Sequence, residues 1–419
     1  MNKAELLQHV TSYYLDSPDF NGCPSYSLAD YNTDDLVCLI ESEQIRILSD
    51  YDDINTYINR LNLFKSVAEQ VQTIRAKRNF VAYPTIEHLQ TMHIIEEKPF
   101  SKMLALGCEQ FKILYFSVDI LELYANNPQY VLLDHGYRGC ISLSEECYEE
   151  DDQIHTEYVQ DFGVAYQKEE PHDGDRAIAV FVRDLAHLNF EAQYKWRGFL
   201  LHDQSKFRVN GGFIKNLLLG EWVENYWIFD ALLDEIRYLN AMCDDIGIPA
   251  LFRKAYSRED QELIGYRILL IPTLKNYYDF VSALEKIVIN NLSYDVFKGT
   301  APGINPIERK KEDGSLKGSI EMLEEWLNQN YCHARPDVLE ALKRDIIDVF
   351  RSVRKIRQTP AHEMYSNKHD KELYKKQNEL INQMYNALDI LCFVFSRHPM
   401  AKNTPVPNSY AEKEKIAIY

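Results

Sequence analysis

The hydrophobic pattern of this chain changes character near Tyr277, and this change limits the folds that the chain can adopt. Before it, short apolar runs rich in β-branched and aromatic residues lie between turn residues, a pattern typical of strands. After it, apolar residues recur near a period of 3.6, as in helices that bury one stripe. The sequence therefore predicts an α+β region over residues 1–270, of one or two subdomains, followed by an all-α helical bundle over 271–400.

The same patterns predict individual segments. In the first region, helices are predicted over 4–15, 54–78 and 222–242, and strands over 111–116, 130–133, 177–182 and 267–272. In the bundle, four helices are predicted over 277–297, 318–331, 336–357 and 370–396. The loop 298–317, with three glycines and two prolines, is either a mobile connection or a domain linker. The polar residues 401–419 are predicted to form a flexible tail.

Composition points to a folded cytoplasmic protein. Hydrophobic residues make up 46% of the chain, but no uncharged apolar stretch approaches the roughly 20 residues of a membrane helix. The first residues lack the apolar core of a secretion signal. The 8 cysteines include no C-x-x-C pair, which indicates reduced thiols rather than a zinc ribbon or a disulfide framework.

Charge is unevenly distributed between the two regions. The net charge is −18, and residues 301–419 hold 19 Lys and Arg against 17 Asp and Glu, so the first 300 residues carry −20. Such an acidic surface does not coat nucleic acid, because phosphates would be repelled. Any phosphate contact is therefore expected at a local basic patch in the C-terminal part.

A basic patch of this kind leads into the sequence Arg357-Gln358-Thr359-Pro360-Ala361-His362. An arginine binds phosphate through a charged planar fork, and a histidine transfers protons near neutral pH, so this pair suffices to cleave RNA without a metal. Three further basic residues precede it on the same predicted helix, and the spacing predicts that they share a solvent-facing stripe: Arg351, Arg354 and Lys355. They either attract a phosphate or complement the negative end of the helix dipole.

Pro360 predicts a helix break within this segment. Proline disfavours helical geometry at the preceding Thr359, and Thr-Pro is a good N-cap and first-turn pair for a new helix. His362 is then expected in that first turn, where the positive dipole end opposes protonation of the imidazole. Such a histidine would be available as a base, or would serve a structural corner.

Other candidate sites carry simpler explanations. The acidic run 145–152 is able to hold Mg²⁺, but such runs are usually solvated loops. His398 closes the last helix, where a cation at a helix C-terminus is ordinary, and Cys332-His333 lies at a turn without a third catalytic partner in sequence. The motifs of P-loop NTPases, zincins and common serine hydrolases do not occur in the sequence.

The predicted bundle, with Arg357-x4-His362 between its last two long helices, resembles a HEPN domain, the helical module of many prokaryotic RNA-cutting toxins and anti-phage effectors. The family motif is Arg, usually a polar residue, three to five more residues and then His, here Arg357, Gln358 and His362. The resemblance covers roughly 120 residues and leaves 1–270 unassigned.

The resemblance implies a metal-independent endoribonuclease without a cofactor, active as a homodimer whose two motifs face one another. Arg357 and His362 would be catalytic, and Gln358, Arg354, Lys355 and Arg351 would bind the RNA substrate. The family also implies a cytoplasmic toxin or abortive-infection effector, held by an antitoxin or triggered by a phage-derived activator, with 1–270 as a regulatory or sensor region. One alternative is a non-catalytic HEPN-like protein that dimerises or binds a nucleotide. Another is a metal-dependent enzyme that uses the acidic run.

Overall fold

A computed structural model describes residues 2–17, 20–49, 64–76, 78–91, 98–134, 136–147, 156–170, 174–221, 225–257, 260, 263, 265–332, 335–362 and 366–417. The strands are β1 (Cys23–Pro24), β2 (Ile45–Ser49), β3 (Phe80–Pro84), β4 (Ile113–Ser117), β5 (Tyr130–Asp134), β6 (Arg138–Leu143), β7 (Asp161–Gln167), β8 (Arg176–Phe181), β9 (Phe207–Val209), β10 (Tyr226–Trp227) and β11 (Ile416–Ala417).

The helices in the described part of the chain are α1 (Lys3–Asp16), α2 (Thr33–Glu41), α3 (Val67–Arg75), α4 (Ile86–Thr91), α5 (Pro99–Ala105), α6 (Glu122–Ala125), α7 (Val182–Ala186), α8 (Phe190–Gly198), α9 (Gly211–Leu219), α10 (Ile228–Ile246), α11 (Leu274–Leu284), α12 (Ser319–Leu327), α13 (Pro336–Leu342), α14 (Asp348–His362), α15 (Glu372–Ser396) and α16 (Asn408–Ala411). None of these is both long enough and apolar enough to cross a bilayer.

The α+β class is confirmed, with sheets in the N-terminal part and a helical C-terminal part. The chain forms two compact units, one made of 1–130, 140–163 and 177–205, the other of 131–139, 164–176 and 206–419. Residues 206–270 therefore fold with the helical part, so the units divide elsewhere than at the predicted boundary of 270. The largest sheet has the strand order β4-β8-β7-β6-β5, with β9 paired to β7.

The first unit begins with a small three-stranded antiparallel sheet of order β1-β3-β2. All five residues of the central strand β3 are buried, because helices α1, α2 and α3 contribute apolar side chains to the same cluster, among them Val10, Leu39 and Ile74. The predicted helix over 4–15 is confirmed by α1. Of the predicted helix over 54–78, residues 54–63 and 77 lie outside the described residues, and α3 covers Val67–Arg75.

The second unit contains the predicted helical bundle. α10 and α15 pack along one another, and their buried faces supply large apolar side chains such as Leu232, Leu239, Leu388 and Phe395. Full burial of such a side chain contributes roughly 1.5–3 kcal/mol, so this pair forms much of the hydrophobic core. The helix predicted over 222–242 begins later than expected, at Ile228, and residues 222–224 lie outside the described part.

Three of the four predicted bundle helices contain a π turn, which periodicity did not predict. These turns cover Glu285–Ile289 after α11, Asn328–Cys332 after α12, and Lys343–Ile347 between α13 and α14. A π turn inserts one extra residue into the helix and rotates the following side chains, and such turns are frequent at functional sites. The first of them supplies a contact of the candidate site.

The strand predicted over 267–272 is wrong, because this segment has no regular structure. Its backbone groups bond to side chains instead of a neighbouring strand. The Gln377 amide accepts from the Leu269 N–H at 2.7 Å and donates to the Arg267 carbonyl at 2.9 Å. The Tyr374 hydroxyl donates to the Leu270 carbonyl at 2.8 Å. The apolar run is buried without forming a sheet, because helix α15 satisfies its polar backbone.

The flexible tail predicted over 401–419 is also wrong for the residues that the structure describes. β11 pairs in parallel with β10, and Tyr410 packs its ring 5.2 Å from that of Tyr238 on α10. Thr404 donates to Asp245 at 2.5 Å and Ser409 to Asp234 at 2.7 Å. Residues 418–419 lie outside the described part. The polar composition of this segment predicted a flexible tail, but Thr404 and Ser409 instead form hydrogen bonds with acidic residues of α10.

The loop 298–317 is attached to the bundle over part of its length. Ile304 and Ile307 are buried, and the buried Asn330 holds the Asn305 backbone through its amide, which accepts from the N–H at 2.8 Å and donates to the carbonyl at 3.1 Å. These contacts favour a packed connection over a domain linker, since both sides of the loop belong to the same unit.

Candidate active site

The segment that carries Arg357 and His362 is helical without a break. The helix α14 runs from Asp348 to His362, so the predicted end of the helix before Pro360 is wrong. Pro360 lacks an amide hydrogen and removes one bond to the carbonyl four residues earlier. The Thr359 hydroxyl lies 3.4 Å from the carbonyl of Lys355, its i−4 residue. Because the missing bond lies in the last turn, the helix loses little by including a proline.

The helix α14 is positioned by one apolar face. Phe350 and Val353 are completely buried, and the π turn before α14 contributes the buried Ile346 and Ile347. Arg351, Lys355, Gln358 and Thr359 lie away from this face and are exposed. Arg357, seven residues after Phe350 and four after Val353, lies in line with the apolar face but is also exposed. The predicted solvent-facing basic stripe is therefore confirmed for Arg351 and Lys355, while Arg354 is partly buried against a neighbouring helix.

Glu285 is the residue that fixes Arg357. Its carboxylate is 7% exposed, and one oxygen, Oε2, lies 3.3 Å from Nε of Arg357. The other oxygen, Oε1, accepts from Nε of Arg354, also at 3.3 Å. A buried carboxylate thus bridges two arginines, and the three groups together leave one positive charge. A buried charge needs such partners, because an unpaired carboxylate would lose its hydration without compensation.

The π turn after α11 places a second acceptor beside Glu285. The N–H of Asn290 donates to the carbonyl of Glu285 at 2.9 Å, a bond between residues five apart. The side-chain oxygen of Asn290 lies 3.4 Å from Nη2 of Arg354. Arg354 is therefore held at both ends of its guanidinium group by residues at the two ends of one π turn.

Arg351 belongs to a separate ion-pair network. Its Nη2 donates to Oε2 of Glu324 on α12 at 2.5 Å, and its Nη1 donates to Asp348 at 3.3 Å. Lys343 lies 4.0 Å from the other oxygen of Glu324. This network is more exposed than the Glu285 pair, so it contributes little net stability. The structure thus separates Arg351 from the pair Arg354 and Arg357.

Lys355 and Gln358 complete the exposed surface of α14. Within the described part of the chain, no ion pair is found for Lys355 and no hydrogen bond for the Gln358 side chain. Both are exposed, but at one and two residues from Arg357 they project from other sides of the helix than the arginine.

His362 is the last residue of α14, and its side chain lies outside the described part of the structure, as do those of Pro360 and Ala361. The predicted place in the first turn of a new helix is therefore wrong. The expected effect of a positive dipole end on His362 depended on that first turn and therefore has no structural basis.

Arg357 retains the capacity to bind an anion. Its side chain is 44% exposed, and the ion pair with Glu285 is made through Nε. The guanidinium group has five N–H donors in a planar fork, so the two Nη groups are the ones suited to a bidentate phosphate contact. Glu285 holds the group at Nε, and almost half of the side chain remains exposed to solvent.

The other sequence candidates have structural roles or lie outside the described residues. His398 is buried, its Nε2 donates to the Pro302 carbonyl at 2.8 Å, and its Nδ1 accepts from the Met400 N–H at 3.3 Å, so it caps the following turn. Cys332 is buried, and His333 lies outside the described part. Residues 148–155 of the acidic run and its surroundings also lie outside, and no group of three metal-ligating side chains is found among the described residues.

Sequence reasoning missed Glu285, Glu324 and Asn290. Arg354 and Glu285 are 69 residues apart, and no local spacing rule relates them. The available signal is weak: Glu285 directly follows α11 and continues its apolar face, where a carboxylate is expected only with a cationic partner.

Comparison with protein-family models, with curated proteins and with solved structures found no match to this chain.

Proposed function

We propose that the helical part of this chain is a metal-independent endoribonuclease of HEPN type, with Arg357 and His362 as the catalytic pair. The observation that carries the proposal is the state of Arg357: half-exposed, held at Nε by the buried Glu285, and five residues before His362 on one helix. A fixed cationic fork at the surface of an acidic protein is what recognition of a single phosphate requires.

The proposed reaction is attack of a ribose 2′-hydroxyl on the adjacent phosphate. The 2′-hydroxyl gives its proton to solvent water, the 2′-oxygen forms a bond to phosphorus, the bond to the 5′-oxygen breaks, and a 2′,3′-cyclic phosphate and a 5′-hydroxyl result. His362 donates the proton that the 5′-oxygen needs to leave, and Arg357 stabilises the charge on the phosphorane-like transition state. Proton transfer of this kind contributes about 10²–10⁴-fold in rate, and one electrostatic donor roughly 10²–10³-fold.

The spacing of the pair favours a site built from two copies of the chain. Residues five apart on an α-helix are separated by about 140° around the axis and about 7.5 Å along it. A phosphate bound by Arg357 of one copy is therefore better placed for His362 of a second copy, with the two α14 helices across a two-fold axis. Lys355, Gln358 and Arg354 would contact the RNA, and Arg351 would contribute only long-range charge, since Glu324 and Asp348 hold it.

In the cell, such an enzyme would act as a cytoplasmic toxin or abortive-infection effector. An unrestrained ribonuclease would harm its host, so the remaining residues would serve regulation, either by an antitoxin or by a phage-derived activator. This part of the proposal rests on the family resemblance alone, and no residue of the first unit is used to support it.

A second function, a non-catalytic HEPN-like module for dimerisation or nucleotide binding, is favoured by a different observation. All three arginines of α14 are ion-paired to carboxylates of the same unit. In this function, Arg354 and Arg357 would compensate the buried charge of Glu285, and His362 would close the helix.

Cleavage of a labelled RNA in EDTA separates the two functions. Wild type and the variants Arg357→Ala and His362→Ala are compared, each shown to be folded by circular dichroism, and the products are tested for cyclic-phosphate ends. Activity in wild type that is lost in both variants supports the ribonuclease. Equal cleavage by the variants refutes the assignment of the site, and cleavage that EDTA abolishes favours a metal-dependent enzyme.

If neither wild type nor the variants cleave RNA, a second experiment is needed. Expression in cells at graded levels would then show whether growth arrest requires His362. If neither cleavage nor arrest depends on His362, the non-catalytic function is favoured.

A further inference from the structure

We propose that helix α8 in the first unit carries a stacking site for single-stranded nucleic acid, made by Phe190, Tyr194 and Arg197. This site lies in the unit to which the ribonuclease proposal assigns only regulation. It does not depend on that proposal, because binding is measured without cleavage.

The three side chains form a continuous stripe on one side of α8. The ring centroids of Phe190 and Tyr194 are 4.8 Å apart, and the guanidinium carbon of Arg197 lies 5.8 Å from the Tyr194 centroid. Spacings of four and three residues place them in a row on the helix surface. Phe190 and Tyr194 are 47% and 42% exposed. Two large aromatic side chains thus contact each other and also face solvent.

The opposite side of α8 is fixed in place by a buried network. The side chain of Gln193 is completely buried, where it accepts from the Phe100 N–H at 2.9 Å and donates to the Leu188 carbonyl at 2.9 Å. The indole N–H of Trp196 donates to the Tyr124 hydroxyl at 3.1 Å. Rotation of the helix would break these bonds, so α8 is held with its aromatic stripe exposed.

The surface beside the stripe is open. Gly198 follows Tyr194 around the helix by about 40°, and a side chain added at this glycine would meet no atom within 4 Å. The helix surface at Gly198 therefore leaves room for a bound group next to the stripe. The charges of α8 favour an anion there, since Lys195 and Arg197 are exposed and the helix has a single acidic residue, Glu191.

Aromatic rings next to cations match the chemistry of single-stranded nucleic acid. Every unpaired base presents a flat face that stacks on an aromatic side chain, and the phosphate between two bases matches a guanidinium or ammonium group. A duplex hides its base faces, so it gains only the charge contact. A protein partner fits less well, because lysine is depleted in the centre of protein interfaces. The site is small, so the acidic character of the first 300 residues does not prevent local binding at moderate salt.

The test measures binding of the full chain to a fluorescent 2′-O-methyl oligouridine of about twelve nucleotides, which a 2′-hydroxyl mechanism does not cut. Fluorescence anisotropy gives the Kd at several salt concentrations. Phe190→Ala and Tyr194→Ala are each expected to raise the Kd roughly 5- to 100-fold, since each removes one stacking partner. Arg197→Gln is expected to lower the slope of log Kd against log salt by about 0.7, the contribution of one phosphate contact.

Tyr26→Ala is the matched control, because it removes an exposed tyrosine of the same unit from another helix, and its Kd should equal that of wild type. The proposal is overturned if wild type does not bind the oligonucleotide at low salt, if a duplex of equal length binds as tightly, or if the Phe190→Ala, Tyr194→Ala double variant, shown to be folded, keeps the wild-type Kd. A double variant that changes only the oligomeric state would identify the stripe as a protein interface. A single-stranded DNA oligonucleotide of the same length is also measured, and a Kd close to that of the oligouridine would support the proposal, because base stacking does not require the ribose 2′-oxygen.

Discussion

Replacing Glu285 by glutamine tests whether this residue positions Arg357, the arginine that we propose to be catalytic. Glutamine keeps the size of the side chain but removes the charge that holds Nε of both Arg354 and Arg357 at 3.3 Å. The local charge rises from one to two positive units, and the guanidinium of Arg357 is no longer restricted to one orientation. The arginine remains present, so any loss of activity reflects its position.

The structure sets the expected size of the effect on stability. Breaking a fully buried ion pair costs about 3–5 kcal/mol, whereas exposed pairs are worth about 0.2–1 kcal/mol. Glu285 is buried, but Arg354 and Arg357 are 30% and 44% exposed, so solvent screens the loss. We expect Glu285→Gln to lower the free energy of unfolding by about 1–2 kcal/mol, or roughly 2–4 °C in Tm per kcal/mol.

The expected effect on catalysis is larger. A reacting group displaced by about 1 Å loses roughly 100-fold in rate. Single-turnover cleavage of a fluorophore-labelled RNA in EDTA should therefore slow by about that factor in Glu285→Gln, with KM changed much less than kcat, because the remaining cations still attract the substrate. Cleavage and Tm are measured on the same preparation.

Glu324→Gln provides the matched control. It makes the same chemical change at a carboxylate on the adjacent helix, but that carboxylate pairs with Arg351 and Lys343 rather than with Arg357. Its cleavage rate should stay close to that of wild type. The positioning role is refuted if Glu285→Gln cleaves as fast as wild type, or if Glu324→Gln slows cleavage by the same factor. Faster cleavage by Glu285→Gln would show that the ion pair restrains the arginine.

Three further predictions concern the second unit. Burial and the nearby Asp389 raise the pKa of Glu235 well above its usual range, so its contribution to stability is present at low pH and is lost as pH rises through that pKa. Glu235→Gln should therefore raise the Tm at pH 8 more than at pH 5, because each unit of pKa shift corresponds to about 1.4 kcal/mol of stability. An equal rise in Tm at both pH values would contradict this prediction. Gln377→Leu should cost about 1–3 kcal/mol in a urea titration, because it leaves the Leu269 N–H and the Arg267 carbonyl unpaired, and an unchanged midpoint would refute that role. Removal of residues 404–419 should lower the Tm of the full chain, since it exposes the Tyr238 face of α10; a tail without a structural role would leave the Tm unchanged.

Helices and strands that depend only on neighbouring residues can be predicted from the sequence. The four bundle helices were predicted because an apolar stripe with a 3.6-residue period is visible in any window of the chain, and α1, β4, β5 and β8 follow from equally local patterns. The exposed basic surface of α14 was predicted for the same reason, since residues three and four apart share a helix face. The pair Arg357 and His362 was visible as a motif near a helix terminus. His362 was expected at the start of a new helix, but it lies at the end of α14.

Tertiary structure decided what depends on contacts between distant residues. Segment 267–272 has the composition of a strand, but side chains of α15 satisfy its backbone, so it needs no neighbouring strand. Pro360 signals a helix end, but α14 continues through it to His362, because the hydrogen bond that the proline removes lies in the last turn of the helix. Glu285 lies 3.3 Å from Arg357 because it is part of a π turn and because the helix that precedes this turn packs against α14. Residue spacing along the sequence predicts neither feature. The motif Arg357 and His362 is visible in the sequence, whereas the carboxylate that orients Arg357 is supplied by the fold.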